Sequence, residues 1–478
     1  MLRKIISDLK NFPEDDCYEV SGNKYKNKDV YKYVCNIYHY LMEKNKDRKS
    51  VIVYGHKDIY MIASFLACSC TGAAYVPVDI SIPEERRKKI INRINPDVII
   101  DKQIEEVMLD ENYKDIDDIY MKDDDIYYII FTSGSTGEPK GVQITYKNLK
   151  SCVRWLKKIC NIEKGVILNQ ANYSFDLSVA DIYLSLCTRS KHFVIEREVQ
   201  KDFSKLFVEL KNSDSNLAVF TPSFLNLLLT DKSFNSELMP NLQTIFLCGE
   251  KLAEKTVNRV FERFADINLI NSYGPTECTF AVTSIKIESS HDISIGIPKE
   301  DVELFIVDED LNEVTEGKIG EILITGESVG NGYLGNISQN DRFITYNEKK
   351  GYLTGDVGYY KEGKFYCVGR KDSQIKYKGY RIELLEIEAT IDKLEYVEKS
   401  VVTVRKSDNG IVDRIIAFIK LKQDYSTEKI KMELKELLPE YMIPMIRIID
   451  NIPLSQNGKV DAKKLLEESC KWESKLLT

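Results

Sequence analysis

Short apolar runs alternate with stretches of helical apolar spacing along the first third of the chain. SVIVYG (50–55) reads as a buried strand and KDIYMIASFLACSCTGA (57–73) as a helix ending near Gly72. AYVPVD (74–79) is again a strand, PEERRKKIINRI (83–94) an amphipathic helix opened by proline, and PDVIID (96–101) the next strand. The rhythm returns at NLAVF (216–220), the helix around SFLNLLL (223–229), TIFLCG (244–249), the helix KLAEKTVNRVFERF (251–264) and INLINSYG (267–274). Strand–helix–strand alternation predicts parallel sheets with crossover helices.

After about residue 290 the pattern becomes short alternating strands with tight polar turns: VELFIVD (302–308), GEILITG (320–326), GYLTGD (351–356) and KFYCVGR (364–370). From residue 372 onward, helices at 384–394 and 428–438 alternate with strands at 400–405 and 415–421. The predicted fold class is α/β. A large N-terminal domain (1–371) holds βαβ-type subdomains plus a small β-barrel-like subdomain at about 290–371. A small mobile α+β C-terminal domain (372–478) follows. No repeat, low-complexity stretch or Gly/Pro-rich linker marks that boundary, so residue 372 is placed by motif.

Composition narrows the class. The chain is 478 residues long, 43% hydrophobic and 30% charged, which is globular rather than disordered and too long for one core. A net charge of -8 argues against nucleic acid as a main partner. The 11 cysteines are scattered, and the 4 histidines form no cluster with metal-ligand spacing, so free thiols in a cytoplasmic protein are expected. The N-terminal MLRKIISDLKNFPEDD is too charged for a signal peptide. The longest apolar stretch, 60–78, is interrupted by Cys, Ser, Thr, Gly and Pro, so no stable membrane insertion is expected.

One segment suggests phosphate chemistry. TSGSTGEPKG (132–141) follows the strand pattern IYYIIF (126–131). Its small residues let backbone N–H and hydroxyl groups approach an anion closely, and Lys140 adds a cation. The spacing is not GxxxxGK[ST], which occurs nowhere in the chain.

YIIFTSGSTGEPKGV resembles the phosphate loop of the adenylate-forming superfamily, which includes acyl-CoA synthetases, peptide-synthetase adenylation domains and luciferases. Companion motifs follow in that superfamily's order: GAAYVPVD (72–79), NYSFDLS (172–178), NSYGPTE (271–277), YLTGD (352–356), GRKDSQIKYKGYRIE (369–383) and NGKVD (457–461). VYGHKDIYMIASFL, PVDISIPEERRKKII, CGEKL, NSYGPTECTFAVTSI and LPEYMIP…NGKVDAKKL are most similar to the D-alanine–carrier protein ligases.

The resemblance implies ATP-dependent activation of a small amino acid, with Mg2+ as cofactor. The aminoacyl-AMP then passes to the phosphopantetheine thiol of a separate carrier protein. It implies ATP contacts from Thr132, Ser133, Gly134, Ser135, Thr136, Gly137 and Lys140 in the loop, and from Asn271, Tyr273, Thr276, Asp356 and Arg370 elsewhere. Tyr273 would stack on adenine, Asp356 would accept from the ribose hydroxyls, Thr276 would touch the α-phosphate, and Glu277 would help bind the metal. Lys459 would bridge the carboxylate and α-phosphate as charge builds between them. Asp372 would be the hinge about which the C-terminal domain turns between the two half-reactions.

The aspartate matching Asp176 pairs with the substrate ammonium in amino-acid-activating members. The side-chain pocket maps to Leu177, Ala180, Val219, Phe246, Cys248, Ser272, Phe280 and Ala281. Two phenylalanines and no further charge imply a small apolar side chain. D-alanine is favoured, with glycine, β-alanine, L-alanine and serine open. Ala180 is smaller, and Phe280 larger, than the residues usual in the ligases. Two other readings are a CoA ligase for a small carboxylic acid and an adenylation enzyme of natural-product biosynthesis. A third, a non-catalytic nucleotide-binding protein, is opposed by intact Lys140, Glu277, Asp356 and Lys459.

Overall fold

The computed structural model describes residues 1–478 except 135–136, 336–337, 408–409, 454–460, 462–463 and 468–478. The chain divides into two compact units. The larger comprises Met1–Ile80, Arg93–Phe131 and Gly141–Asp372; the smaller comprises Ser373–Thr478 together with Ser81–Asn92 and Thr132–Lys140. The phosphate-loop sequence and much of the helix Glu84–Ile94 thus cluster with the C-terminal residues, although the sequence alone assigns them to the N-terminal domain.

The larger unit is α/β, as its alternation predicts. A nine-stranded sheet has a parallel centre, in which Asn268–Tyr273, Thr244–Leu247, Leu217–Phe220, Val166–Asn169, Lys191–Val194 and Asp16–Val20 are successive neighbours. Its edges are antiparallel. A second sheet orders Ile99–Ile100, Val51–Gly55, Tyr75–Asp79, Ile126–Thr132 and Lys140–Thr145. The helix Ile59–Thr71 is apolar nearly all round and buried along its whole length, which is what such a sequence requires of a core helix. It begins after Asp58 rather than at Lys57, whose φ of 52° lies outside the helical region.

The β-rich segment forms a five-stranded antiparallel sheet of Val302–Val307, Gly320–Gly326, Lys349–Lys361 and Phe343–Tyr346, with Lys364–Arg370 paired to Lys349–Lys361. In the smaller unit, Gln374–Tyr377 pairs with Tyr380–Glu383, while Val397–Lys406, Val412–Leu421 and Met445–Ile448 form a three-stranded sheet. The helices Leu384–Ile391 and Thr427–Leu437 share its core through Ile387, Ile391, Ile430 and Leu434. Among the described residues, no helix is long and apolar enough to cross a membrane.

Candidate active site

In the larger unit the antiparallel hairpin sets Asp356 opposite Arg370. The carboxylate accepts from Arg370 Nη1 at 2.6 Å and from the Tyr273 hydroxyl at 2.6 Å. Burial, then the adjacent negative charge of Asp356, pushes the Tyr273 phenol well above its ordinary range, so it stays a donor. Arg370 also donates to Asp372 through Nε at 2.7 Å and Nη2 at 2.8 Å, and Arg342 Nη2 reaches the same carboxylate at 3.2 Å. Gly355 is left-handed (φ 74°), and a Cβ there would stand 2.8 Å from nitrogens of both arginines. Glycine therefore serves both the turn and the closure of the arginines over it.

Asp176 leaves the strand Val166–Asn169 just before the buried helix Ser178–Thr188. Thr276 Oγ1 donates to its carboxylate at 2.5 Å, joining two motifs 100 residues apart. Asp176 is 8% exposed and Thr276 6%. A charge so buried needs polar company, and a carboxylate can accept from several donors at once. Glu277 is fully buried and accepts from the Tyr333 hydroxyl at 2.5 Å, while its carbonyl takes Gly330 N–H at 2.8 Å.

The apolar residues expected to line the amino-acid pocket belong to one buried cluster, with Val219 and Phe246 near the C-terminal ends of parallel strands, the end at which open α/β sheets bind ligands. Val219 lies beside Phe246 in register, and the Phe246 and Phe280 rings stand 6.3 Å apart at 59°. Leu177, Ala180, Val219, Cys248, Phe280 and Ala281 are all buried. Thr279 and Phe280 are both left-handed, with φ of 58° and 63°, a rare conformation for residues with branched or aromatic side chains. Cys248 Sγ lies 3.7 Å from the Phe280 carbonyl and donates to it. Two expected site residues have their side chains engaged elsewhere. Asn271 Nδ2 donates to the Ser294 carbonyl at 2.8 Å, and Ser272 Oγ to the Thr283 carbonyl at 2.6 Å.

In the smaller unit several of the described phosphate-loop donors are occupied. Gly134 N–H donates to Glu386 Oε2 at 3.1 Å, and Ser133 Oγ to the Arg381 carbonyl at 2.9 Å. Ser133 Oγ also accepts from Glu383 N–H at 3.2 Å. Lys140 Nζ lies 3.8 Å from Glu383, and Arg86 hydrogen-bonds the second oxygen of Glu386. Gly137 N–H closes the turn on the Gly134 carbonyl at 3.0 Å. A Cβ on Gly134 would fall 2.1 Å from the Glu138 carbonyl oxygen, so only glycine fits this turn. The Thr132 hydroxyl is buried without a hydrogen-bond partner. Lys459, Ser135 and Thr136 lie outside the described residues.

The sequence signature of the family described as AMP-binding enzyme matches residues 7–334, more than half the chain. The chain belongs to the AMP-binding enzyme family. A D-alanine–D-alanyl carrier protein ligase of Listeria monocytogenes serotype 4a is 36% identical, with 98% of this chain and 99% of that protein covered. One of Bacillus licheniformis is 38% identical, covering 88% and 90%. The Vibrio cholerae adenylation domain AlmE, solved with glycyl-adenosine-5'-phosphate, superposes with a TM-score of 0.84 at 20% identity, over 98% of both chains.

In this AMP-binding enzyme Tyr333 and Arg342, which hydrogen-bond expected site residues, carry no sequence signal. Tyr333 meets Glu277 across 56 positions, and its own segment, NGYLG, has no charged group to draw attention. Arg342 and Thr354 support the Arg370–Asp372 pair, with Arg370 Nη2 donating to the Thr354 carbonyl at 3.2 Å. Glu383 and Glu386 belong to the recognised hinge stretch and the helix after it, yet their meeting with the phosphate loop is visible only in three dimensions.

Proposed function

We propose that this AMP-binding enzyme activates D-alanine with ATP and Mg2+ and delivers it to the phosphopantetheine thiol of a separate carrier protein. The observation that carries the reading is the buried carboxylate of Asp176, which accepts from Thr276, together with the buried apolar cluster that holds Phe246 and Phe280. A buried carboxylate calls for a cationic ligand, and an α-ammonium is one. Apolar, aromatic residues around the expected side-chain position suit a methyl group. The homology to D-alanine–D-alanyl carrier protein ligases points the same way.

In the first half-reaction a carboxylate oxygen of the amino acid attacks the α-phosphorus of ATP. The bond to pyrophosphate breaks, and the mixed anhydride with AMP forms. Asp356 accepts the ribose hydroxyls, with Arg370 beside it fixing the carboxylate plane. Lys140 and the N–H groups of residues 132–137 take the β- and γ-phosphates. Lys459 neutralises charge between the reacting groups. In the second half-reaction the carrier thiol attacks the acyl carbon, its proton leaves to solvent, and AMP departs. Asp372 is the pivot between the two.

Among the described residues, no cluster of three or more His, Cys, Asp or Glu side chains could hold a metal. Mg2+ is commonly held by one or two carboxylates together with substrate phosphates, without a dedicated protein cage. Glu277 is such a carboxylate, positioned by Tyr333. When bound, Mg2+ draws charge from the phosphates and eases the departure of pyrophosphate. We place the enzyme in the cytoplasm, where ATP is abundant; no disulfide joins the described cysteines, in keeping with a reducing compartment.

The test is amino-acid-dependent ATP–pyrophosphate exchange across D- and L-amino acids, followed by loading of a phosphopantetheinylated carrier in competition with CoA. D-alanine should lead, glycine and L-alanine should trail, and the carrier should outrun CoA. Preference for a large aromatic or charged amino acid sinks the small-substrate reading. Equal use of propionate and alanine, with transfer to CoA, makes the protein a carboxylic-acid CoA ligase instead.

A further inference from the structure

Lys57 is buried completely and takes no part in the reaction described above. Its Nζ donates to two main-chain carbonyls, Gln170 at 2.6 Å and Ile195 at 2.8 Å. These residues directly follow the adjacent parallel strands Val166–Asn169 and Lys191–Val194, so one ammonium spans the C-terminal ends of both. A buried cation is expensive to keep. Burial pulls this one down to about 7, with Asp181 the leading counterweight. Something in the local arrangement has to justify such a residue.

The segment it grips is the one that carries Asp176. Gln170 opens the stretch leading to Asp176, six positions later. Further along, the Tyr173 hydroxyl lies 2.9 Å from that of Tyr18, which donates to the carbonyl of Lys57 itself. With that proton committed, Tyr18 accepts from Tyr173. Asn169 adds a third tie, its amide nitrogen donating at 3.0 Å both to the Ala171 carbonyl and to the Asp181 carboxylate on the following helix. Between these anchors the chain turns tightly, with Phe175 N–H on the Asn172 carbonyl at 2.9 Å and Val179 N–H on that of Asp176 at 3.0 Å. Lys57 therefore touches the segment directly at residue 170 and indirectly at residue 173.

We propose that Lys57 is a positioning residue for Asp176: it ties down the turn from which that carboxylate meets the substrate ammonium. The inference rests on the role given to Asp176 above. A clamp that served folding alone would weaken every function of the protein together. A positioning clamp acts on amino-acid recognition and is redundant once the Asp176 charge is gone.

The experiment is a double-mutant cycle in pyrophosphate exchange on the full chain, with D-alanine and ATP each varied. Lys57→Met, which keeps the stem and removes the donor, should raise the D-alanine KM by roughly tenfold and leave the ATP KM unchanged. In an Asp176→Asn background the same change should add almost nothing. Tyr173→Phe removes one hydroxyl with little change in packing, and should raise the D-alanine KM a few-fold by a separate route. Equal rises in both KM values, additive effects in the double variant, or an unchanged D-alanine KM in Lys57→Met overturn the proposal. Where Lys57→Met fails to fold, an unchanged D-alanine KM in Tyr173→Phe does so. A silent Lys57→Met beside a crippled Asp176→Asn removes this inference alone. A silent Asp176→Asn removes the ammonium reading and the inference with it.

Discussion

The two units hold their site groups in opposite ways. In the larger unit the carboxylates expected to meet substrate are acceptors: Asp176 takes a bond from Thr276, Asp356 from Tyr273 and Arg370, and Glu277 from Tyr333. In the smaller unit the groups expected to meet phosphate are donors: Gly134 N–H is committed to Glu386, Ser133 Oγ to a carbonyl, and Lys140 stands beside Glu383. A carboxylate has about four acceptor sites, whereas an N–H has one proton to give. A ribose hydroxyl can thus join Asp356 beside Tyr273 and Arg370, since a carboxylate can accept from several donors at once. A phosphate must displace a carboxylate, an acceptor of its own kind, from the smaller unit's donors. On the proposed function, the larger unit's carboxylates are pre-organised and the loop exchanges partners.

The largest expected effect bears on the chemistry both regions serve. Lys459→Ala should slow adenylation by about 10²–10³-fold, the usual scale for losing one donor that stabilises transition-state charge. Binding of both substrates should barely change. Transfer from preformed aminoacyl-AMP to the carrier should survive, since Lys459 then has no part. Single-turnover measurement of each half-reaction checks this. Equal loss in both would mean that the lysine supports the fold or both steps, and that binding and chemistry are not separable as drawn.

Next comes the acceptor side. Asp176→Asn keeps an oxygen for Thr276 but leaves the substrate cation facing a neutral amide. Losing one member of a buried charge pair costs about 3–5 kcal/mol, so D-alanine activation should fall at least a few hundredfold. The ATP KM should hold, because Asp356 and the phosphate loop keep their partners. A comparable rise in the ATP KM would contradict the independence that pre-organisation implies.

How far the sequence foretold this contrast depends on distance along the chain. The apolar runs at 216–220, 244–249 and 267–274 fold into the strands Leu217–Phe220, Thr244–Leu247 and Asn268–Tyr273, because local patterning decides such elements. The Asp356–Arg370 partnership was within reach too, since it spans one hairpin. The Thr276–Asp176 bond and the contact of Glu386 with Gly134, 252 positions away, lie beyond any local pattern. Lys57 misled for the same reason. In sequence it opens a helical stretch, whereas the fold turns it left-handed and buries it under the ends of two strands. Burial gives this lysine its meaning, and burial is a property of the assembled sheet.

The smallest effect gives the finest test of partner exchange. Glu383 lies 3.8 Å from Lys140 Nζ and accepts from Gln374 Nε2 at 2.6 Å. Glu383→Gln preserves shape and leaves an oxygen for Gln374, while removing the charge that competes with phosphate for Lys140. A ligand that binds only the released form has its apparent affinity reduced by the fraction of molecules in that form. Lifting the competition should therefore lower the apparent ATP KM. At 3.8 Å the pair is an ion contact and not a hydrogen bond, so the gain should be modest, roughly two- to fivefold. The D-alanine KM should stay put, because Glu383 belongs to the unit that carries the phosphate loop and Asp176 does not. An ATP titration in the exchange assay reads this directly. An unchanged ATP KM would mean that Lys140 is not held back by Glu383, and a raised one that Glu383 orients the lysine for phosphate. Either result would erase the asymmetry between acceptors that share and donors that must switch.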